Sequence, residues 1–202
     1  LTLATRHEES VAASFAHAFL AMSRSLEGRQ HRARDHARRA LTLYDRDRRH
    51  EALPLYGHDS RVAALQWLGL SNTLLGALEA GVEAAEEACR YADRLEIAYS
   101  QGLARAFAAR VYALRGEWAR VAEHAERLLA VAKDADLAPL GQLARIFLVL
   151  CRYELRDDSD VLRHVPLAGP ALRWIAPQGA SALLRAGRLD DADVVIERAL
   201  EE

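Results

Sequence analysis

Between residues 61 and 92 the sequence RVAALQWLGLSNTLLGALEAGVEAAEEACRYA carries two apolar stripes of helical spacing with one glycine between them. Val62, Leu65, Leu68 with Gly69, and Leu75 share one face, and Leu78, Val82, Ala85, Ala88 with Cys89, and Ala92 share another. Gly76 separates the two. Glycine enters the left-handed conformation without a Cβ clash, so it ends the first helix and lets the second fold back along it. The product is a helical hairpin with one apolar seam. Such a hairpin leaves faces unburied, and the pattern therefore predicts neighbours of the same kind stacked on it.

The rest of the chain repeats this grammar. Residues 8–26 carry Val11, Phe15, Ala18 with Phe19, Met22 and Leu26 on one face; Gly28 stops that helix, and residues 30–44 return with Ala33, Ala37, Ala40 with Leu41, and Tyr44. A charged stretch at 46–52, Pro54 and Gly57 form a loop, after which Asp59 or Ser60 caps the next helix. Residues 100–114, the turn at Gly116 and residues 117–132 make a third hairpin, with Trp118, Val121, Ala125, Leu128, Leu129 and Ala132 inward. A loop at 136–140 contains Pro139, and residues 142–155 are helical through Leu143, Ile146, Phe147, Leu150, Cys151 and Leu155. Its partner is shortened, because Pro166, Gly169 and Pro170 follow closely. Pro177 kinks a helix over 171–186 unless that helix starts at Pro177 itself. The last hairpin turns at Gly187, with Leu189, Ala192, Ile196, Ala199 and Leu200 as its seam.

The fold class that follows is all-α, in one domain over 1–202 with units at about 8–50, 59–96, 100–135, 140–166 (degenerate) and 171–202, and at least nine helices. Hydrophobic residues make up 51% of the chain but aromatics only 6%, so alanine and leucine do the packing. A formal net charge of -2 gives no general attraction to nucleic acid or anionic membrane. Cys89 and Cys151 are isolated on apolar stripes, against a disulfide framework or structural zinc and in keeping with a reducing cytoplasm. No apolar run approaches the roughly 20 residues that cross a bilayer, and the basic-then-apolar layout of a signal peptide is lacking. The first residue is Leu1 rather than Met, which suggests a piece of a longer protein.

The turn glycines at 28, 76, 116 and 187 are 48, 40 and 71 residues apart, against a period of about 34 for tetratricopeptide repeats. With Leu68-Gly69, Gly76, Tyr112, Trp118 and the small pairs Ala33/Ala40, Gly81/Ala88 and Ala192/Ala199, the chain resembles that family in a longer-helix variant. Val121 and Leu128 in the third unit depart from the pattern. More narrowly, the run YGHDSRVAALQWLGLSNTLLGALEAGVEAAEEACRYAD is similar to the helical region of large bacterial regulators in which an ATPase precedes the repeats and a cyclase or DNA-binding domain is the output. The resemblance implies a right-handed superhelix of stacked hairpins. It also implies a non-catalytic, cytoplasmic interaction or sensing scaffold, whose partner is a protein, a peptide or a neighbouring domain, with a small-molecule receptor as the alternative.

No constellation of residues in the sequence supports an enzyme. A phosphate-binding GxxxxGK[ST] is absent, so no cofactor is expected. His31 and His36 are five apart, about 140° around a helix, and His7-Glu8-Glu9 is not an HExxH, so no metal is expected either. Asp157, Asp158, Asp160 and Asp190, Asp191, Asp193 lack the glycine and terminal glutamate of a calcium loop. Nine arginines against four carboxylates between Arg24 and Arg49 read as a solvated face, because the arginines lie off the apolar seam. Tyr56, His58 and Asp59 read as capping and loop packing. What remains is the concave face that the first helix of each unit lines in stacked hairpins. Projected onto this chain, the resemblance nominates Gln66, Leu70, Thr73, Arg110, Ser181 and Arg185 as the partner-binding positions, with Arg110 facing an acidic or phosphate-bearing partner.

Overall fold

The computed structural model describes residues 2–47, 57–156 and 172–201. Among them the chain forms nine α-helices and no strand: α1 (Thr2–Leu26), α2 (Gln30–Leu43), α3 (Ser60–Leu74), α4 (Leu78–Leu95), α5 (Ala98–Leu114), α6 (Trp118–Asp134), α7 (Ala138–Arg156), α8 (Leu172–Arg185) and α9 (Leu189–Glu201). The expected loop beyond residue 47 with Pro54, Tyr56, the acidic run at 157–160, and the shortened partner helix with Pro166, Gly169 and Pro170 lie outside the described residues.

Turn chemistry explains the regularity of this order. Gly28, Gly76, Gly116 and Gly187 all have positive φ, and after each the very next amide closes on the carbonyl five residues before it. Ala77 N–H donates to Asn72 O at 2.9 Å, Glu117 to Tyr112 at 3.0 Å and Arg188 to Leu183 at 2.9 Å, which satisfies carbonyls the helix end would otherwise leave open. The joints between hairpins use the same conformation without glycine: Glu96 (φ 56) follows α4 and Asp136 (φ 53) follows α6. Left-handed residues thus recur at 76, 96, 116 and 136, one every 20 residues, although only alternate ones are glycine.

Two compact units divide the chain, Leu1–Val111 and Tyr112–Glu202. In the first, α1 packs on α2, both pack on α3, and α3 packs on α4. Val62 and Leu65 of α3 meet Ala85, Ala88, Cys89 and Ala92 of α4, and Ala104, Ala108 and Val111 of α5 join the same core. Trp67 and Phe107 add an edge-on ring contact at 4.8 Å. Helix α3 is therefore surrounded, with twelve of its fifteen residues buried. In the second unit α6 packs on α7, α7 on α8 and α8 on α9. There Tyr112 stacks on the buried His124 at 5.3 Å, and Arg120 lies over the Tyr112 ring.

Asp59 and not Ser60 caps α3. Its Oδ1 accepts from Arg61 N–H at 2.8 Å and Val62 N–H at 3.2 Å, while Oδ2 accepts from the Tyr44 hydroxyl at 2.8 Å. Tyr44 has one proton and gives it to Asp59, so at 2.7 Å it is Tyr91 that donates to Tyr44. Arg61 covers both rings and pairs with Glu87 at 2.5 Å. Burial, then the Tyr91 hydrogen bond, then the Asp59 charge keep Tyr44 protonated far above the usual phenol range. Ser60 serves a different contact, its Oγ lying 3.0 Å from that of Ser14, which donates to Ala40 O.

Several expectations need correction. Pro139 does not lie in a loop: α7 begins at Ala138, and a proline in a first turn loses no helical hydrogen bond. The helix expected over 171–186 is α8, Leu172–Arg185, and Pro177 lies inside it, so the alternative start at Pro177 is the reading that falls. In α9, Leu189 and Ile196 are 60% and 41% exposed while Ala192 and Val195 are buried, and the side chains of Ala199 and Leu200 lie outside those described. The same shift occurs in α1, where Phe15, Ala18 and Ala21 are buried and Phe19 and Leu26 are exposed.

Candidate functional site

In the second unit the short turn after α5 brings Arg115 and Trp118 to one end of the helix pair. Gly116 (φ 73) allows only three residues between α5 and α6, so Leu114, Arg115 and Trp118 are presented together. On α8, Pro177, Gln178, Ser181 and Arg185 fall at spacings of one, three and four residues, which places them along one face. Glu154 comes from the last turns of α7. These residues, with Ala113 and Gly116, line an open cleft of about 460 Å³.

The apolar part of the lining is Leu114, Trp118 and Pro177. The polar part is already internally bonded. Arg185 donates to Ser181 Oγ at 2.9 Å, forms an ion pair with Glu154 and lies 5.7 Å over the Tyr153 ring. Arg115 pairs through Nε with Glu117. Glu154 is only 17% exposed, whereas Arg185 is 51% exposed, so the carboxylate anchors the guanidinium at the cleft mouth. Gln178 Oε1 is buried without a hydrogen-bond partner among the described residues. Behind the cleft, Cys151 Sγ donates to Trp118 O at 3.5 Å. Burial, then the charges of Glu126 and Glu154, push its thiol up to about 12, which leaves it protonated and unreactive at neutral pH.

Of the six positions nominated from sequence, Ser181 and Arg185 stand together in this cleft. Gln66, Leu70, Thr73 and Arg110 belong to the first unit. Gln66, Leu70 and Thr73 are 2%, 2% and 6% exposed, because α3 is enclosed on nearly every side and presents no groove face there. Thr73 is used for packing: its hydroxyl donates to Gly69 O at 2.9 Å and lies where a Cβ on Gly81 would stand. Arg110 of α5 is half-buried, and desolvation pulls its guanidinium down to about 10.

Sequence reasoning did not find Leu114, Arg115, Glu154, Pro177 or Gln178, and it placed Trp118 inward. Helical phase gives no signal for them, since they come from three helix ends, a turn and the interior of α8. Two further groupings are equally non-local. His58 makes edge contacts with Phe15, Phe19 and Tyr99 at 6.0–6.4 Å beside a hole of about 10 Å³, room for one water at most. His17 of α1 and His36 of α2 approach at 2.9 Å between their Nδ1 atoms. Burial, then His36, then Arg39 hold the His17 imidazole below its ordinary range. No group of three or more potential metal ligands occurs among the described residues, and no helix there is long and apolar enough to cross a membrane.

No protein-family model matches the chain, and no curated protein matches it.

Proposed function

We propose that the chain is a non-catalytic interaction scaffold whose second unit holds a polypeptide segment of a partner in the cleft between the turn at Gly116 and helix α8. The observation that carries this is the cleft itself: about 460 Å³, open to solvent, with aromatic and aliphatic side chains beside hydrogen-bonding groups in its lining. Ligand sites are built from a largely apolar lining with a few placed polar groups, at volumes of roughly 300–1,000 Å³. Pro177, Ser181 and Arg185 in its lining are exposed to solvent.

On this proposal the hairpins stack as a right-handed superhelix, and the host is a cytoplasmic bacterial signalling or transcription regulator whose ATPase or output domains are candidate partners. These rest on the resemblance in sequence. Arg110 is a second, anion-facing position, since a guanidinium held away from water attracts a carboxylate or phosphate more strongly than a solvated one. The cleft volume also suits a small-molecule ligand, which is the second reading.

A photo-crosslinking residue at position 181, in the protein carried in its host cell, tests the proposal against the same residue at exposed position 133. A polypeptide adduct at 181 and not at 133 is expected. Equal adducts at both positions, or none at 181, overturn it.

A further inference from the structure

The charges around the cleft are already matched. Arg185 is paired with Glu154, and Arg115 with Glu117, which makes two positive and two negative groups. A ligand carboxylate approaching Arg185 competes with Glu154 for the same guanidinium, and the displaced Glu154 loses its cation at a largely desolvated position. A ligand cation meets Arg115 and Arg185 first. Neither sign of charge is favoured.

The unsatisfied demand is neutral. Gln178 lines the cleft and its Oε1 is buried without a partner among the described residues, so turning the carboxamide out into the cleft lets it meet an N–H donor. With its amide turned the other way, the same position presents NH2 and asks for a carbonyl. A peptide unit carries both groups side by side and answers either orientation. In the same lining, Trp118, Leu114 and Pro177 offer apolar surface to one bulky side chain. Resting on the cleft reading above, we infer that the bound segment is uncharged where it enters: a backbone amide at Gln178 with an aliphatic or aromatic side chain against Trp118. Glu154 is then a specificity-determining residue, because it cancels the charge of Arg185 and so turns acidic segments away.

Blocked single residues are the probes. N-acetyl-leucine, N-acetyl-glutamate and N-acetyl-lysine N-methylamides are titrated into the whole chain, following the indole resonance of Trp118 and the carboxamide of Gln178 by NMR. The leucine probe should shift both and bind about tenfold more tightly than either charged probe, the factor that one net hydrogen bond or matched contact makes. Its Kd should not change between about 0.05 and 0.5 M salt, since no net charge is being screened. In Glu154→Gln, which keeps shape and removes the charge, the glutamate probe should gain about tenfold and become salt-sensitive. Preference of the unaltered chain for a charged probe overturns the inference. So does a Glu154→Gln variant of unchanged preference and native spectrum, or a failure of all three probes to shift either resonance. The crosslink at position 181 reports separately on whether the cleft holds a partner.

Discussion

Two meetings of helices show what small and large side chains each do in this molecule. Where α3 crosses α4, Gly69 and Gly81 face each other so closely that a Cβ on Gly81 would stand 2.1 Å from Thr73 Oγ1 and 3.0 Å from Gly69 O. Polar side chains there are sealed in, Gln66 and Thr73 among them. Around the α5–α6 turn, α7 and α8, by contrast, Arg115, Glu154, Gln178 and Arg185 stand at the meeting point and hold open a cleft of about 460 Å³. The same hairpin grammar gives a closed joint in one place and a binding-sized space in the other. Side-chain size at the contact decides which.

Gly81→Val strikes the closed joint directly. Two of the three nearest atoms to the new Cβ are backbone and cannot swing away, so a loss of about 3 kcal/mol in denaturant unfolding is expected. A near-wild-type midpoint would mean that the helices separate easily. Asp59→Ala removes two capping acceptor contacts and the partner of Tyr44 together, for about 2 kcal/mol. The test is a double-mutant cycle with Tyr44→Phe, in which additive losses would show that the network is not coupled.

Gly76→Val separates backbone strain from crowding, since at φ 83 no atom lies within 4 Å of an added Cβ. About 1 kcal/mol is expected from the positive φ alone. A loss as large as that of Gly81→Val would erase the distinction drawn between turn and crossing. A smaller effect comes from His17. Its folded pKa is below 6.5, so as pH falls from 6.5 through that lower value the unfolded chain binds the proton more readily, and stability declines. Thermal midpoints between about pH 7.5 and 5 should fall less in His17→Gln than in the unaltered chain. Gln178→Leu should change stability by no more than about 0.5 kcal/mol, because it deletes an unpartnered acceptor at an open cleft. A large loss would show that the cleft is part of the packed core.

Helix number, most helix ends and the turn glycines were legible in the sequence, because those are local: φ at Gly76 or Gly116 answers to the residue itself and its immediate neighbours. Asp59 as a cap belongs to the same class. Glu96 and Asp136 did not announce their left-handed turns, since neither is the glycine that marks the other turns. The nominated face of α3 was illegible for a related reason. Periodicity says which residues share a face, but only the neighbours α1, α2, α4 and α5 determine that Gln66, Leu70 and Thr73 are enclosed while Ser181 and Arg185 are not. The pairing of Arg185 with Glu154, the approach of His17 to His36 and the space beside Gln178 join residues 31, 19 and more than 50 positions apart. Such contacts exist only once the helices have packed, because the energy that fixes them is the burial of other residues.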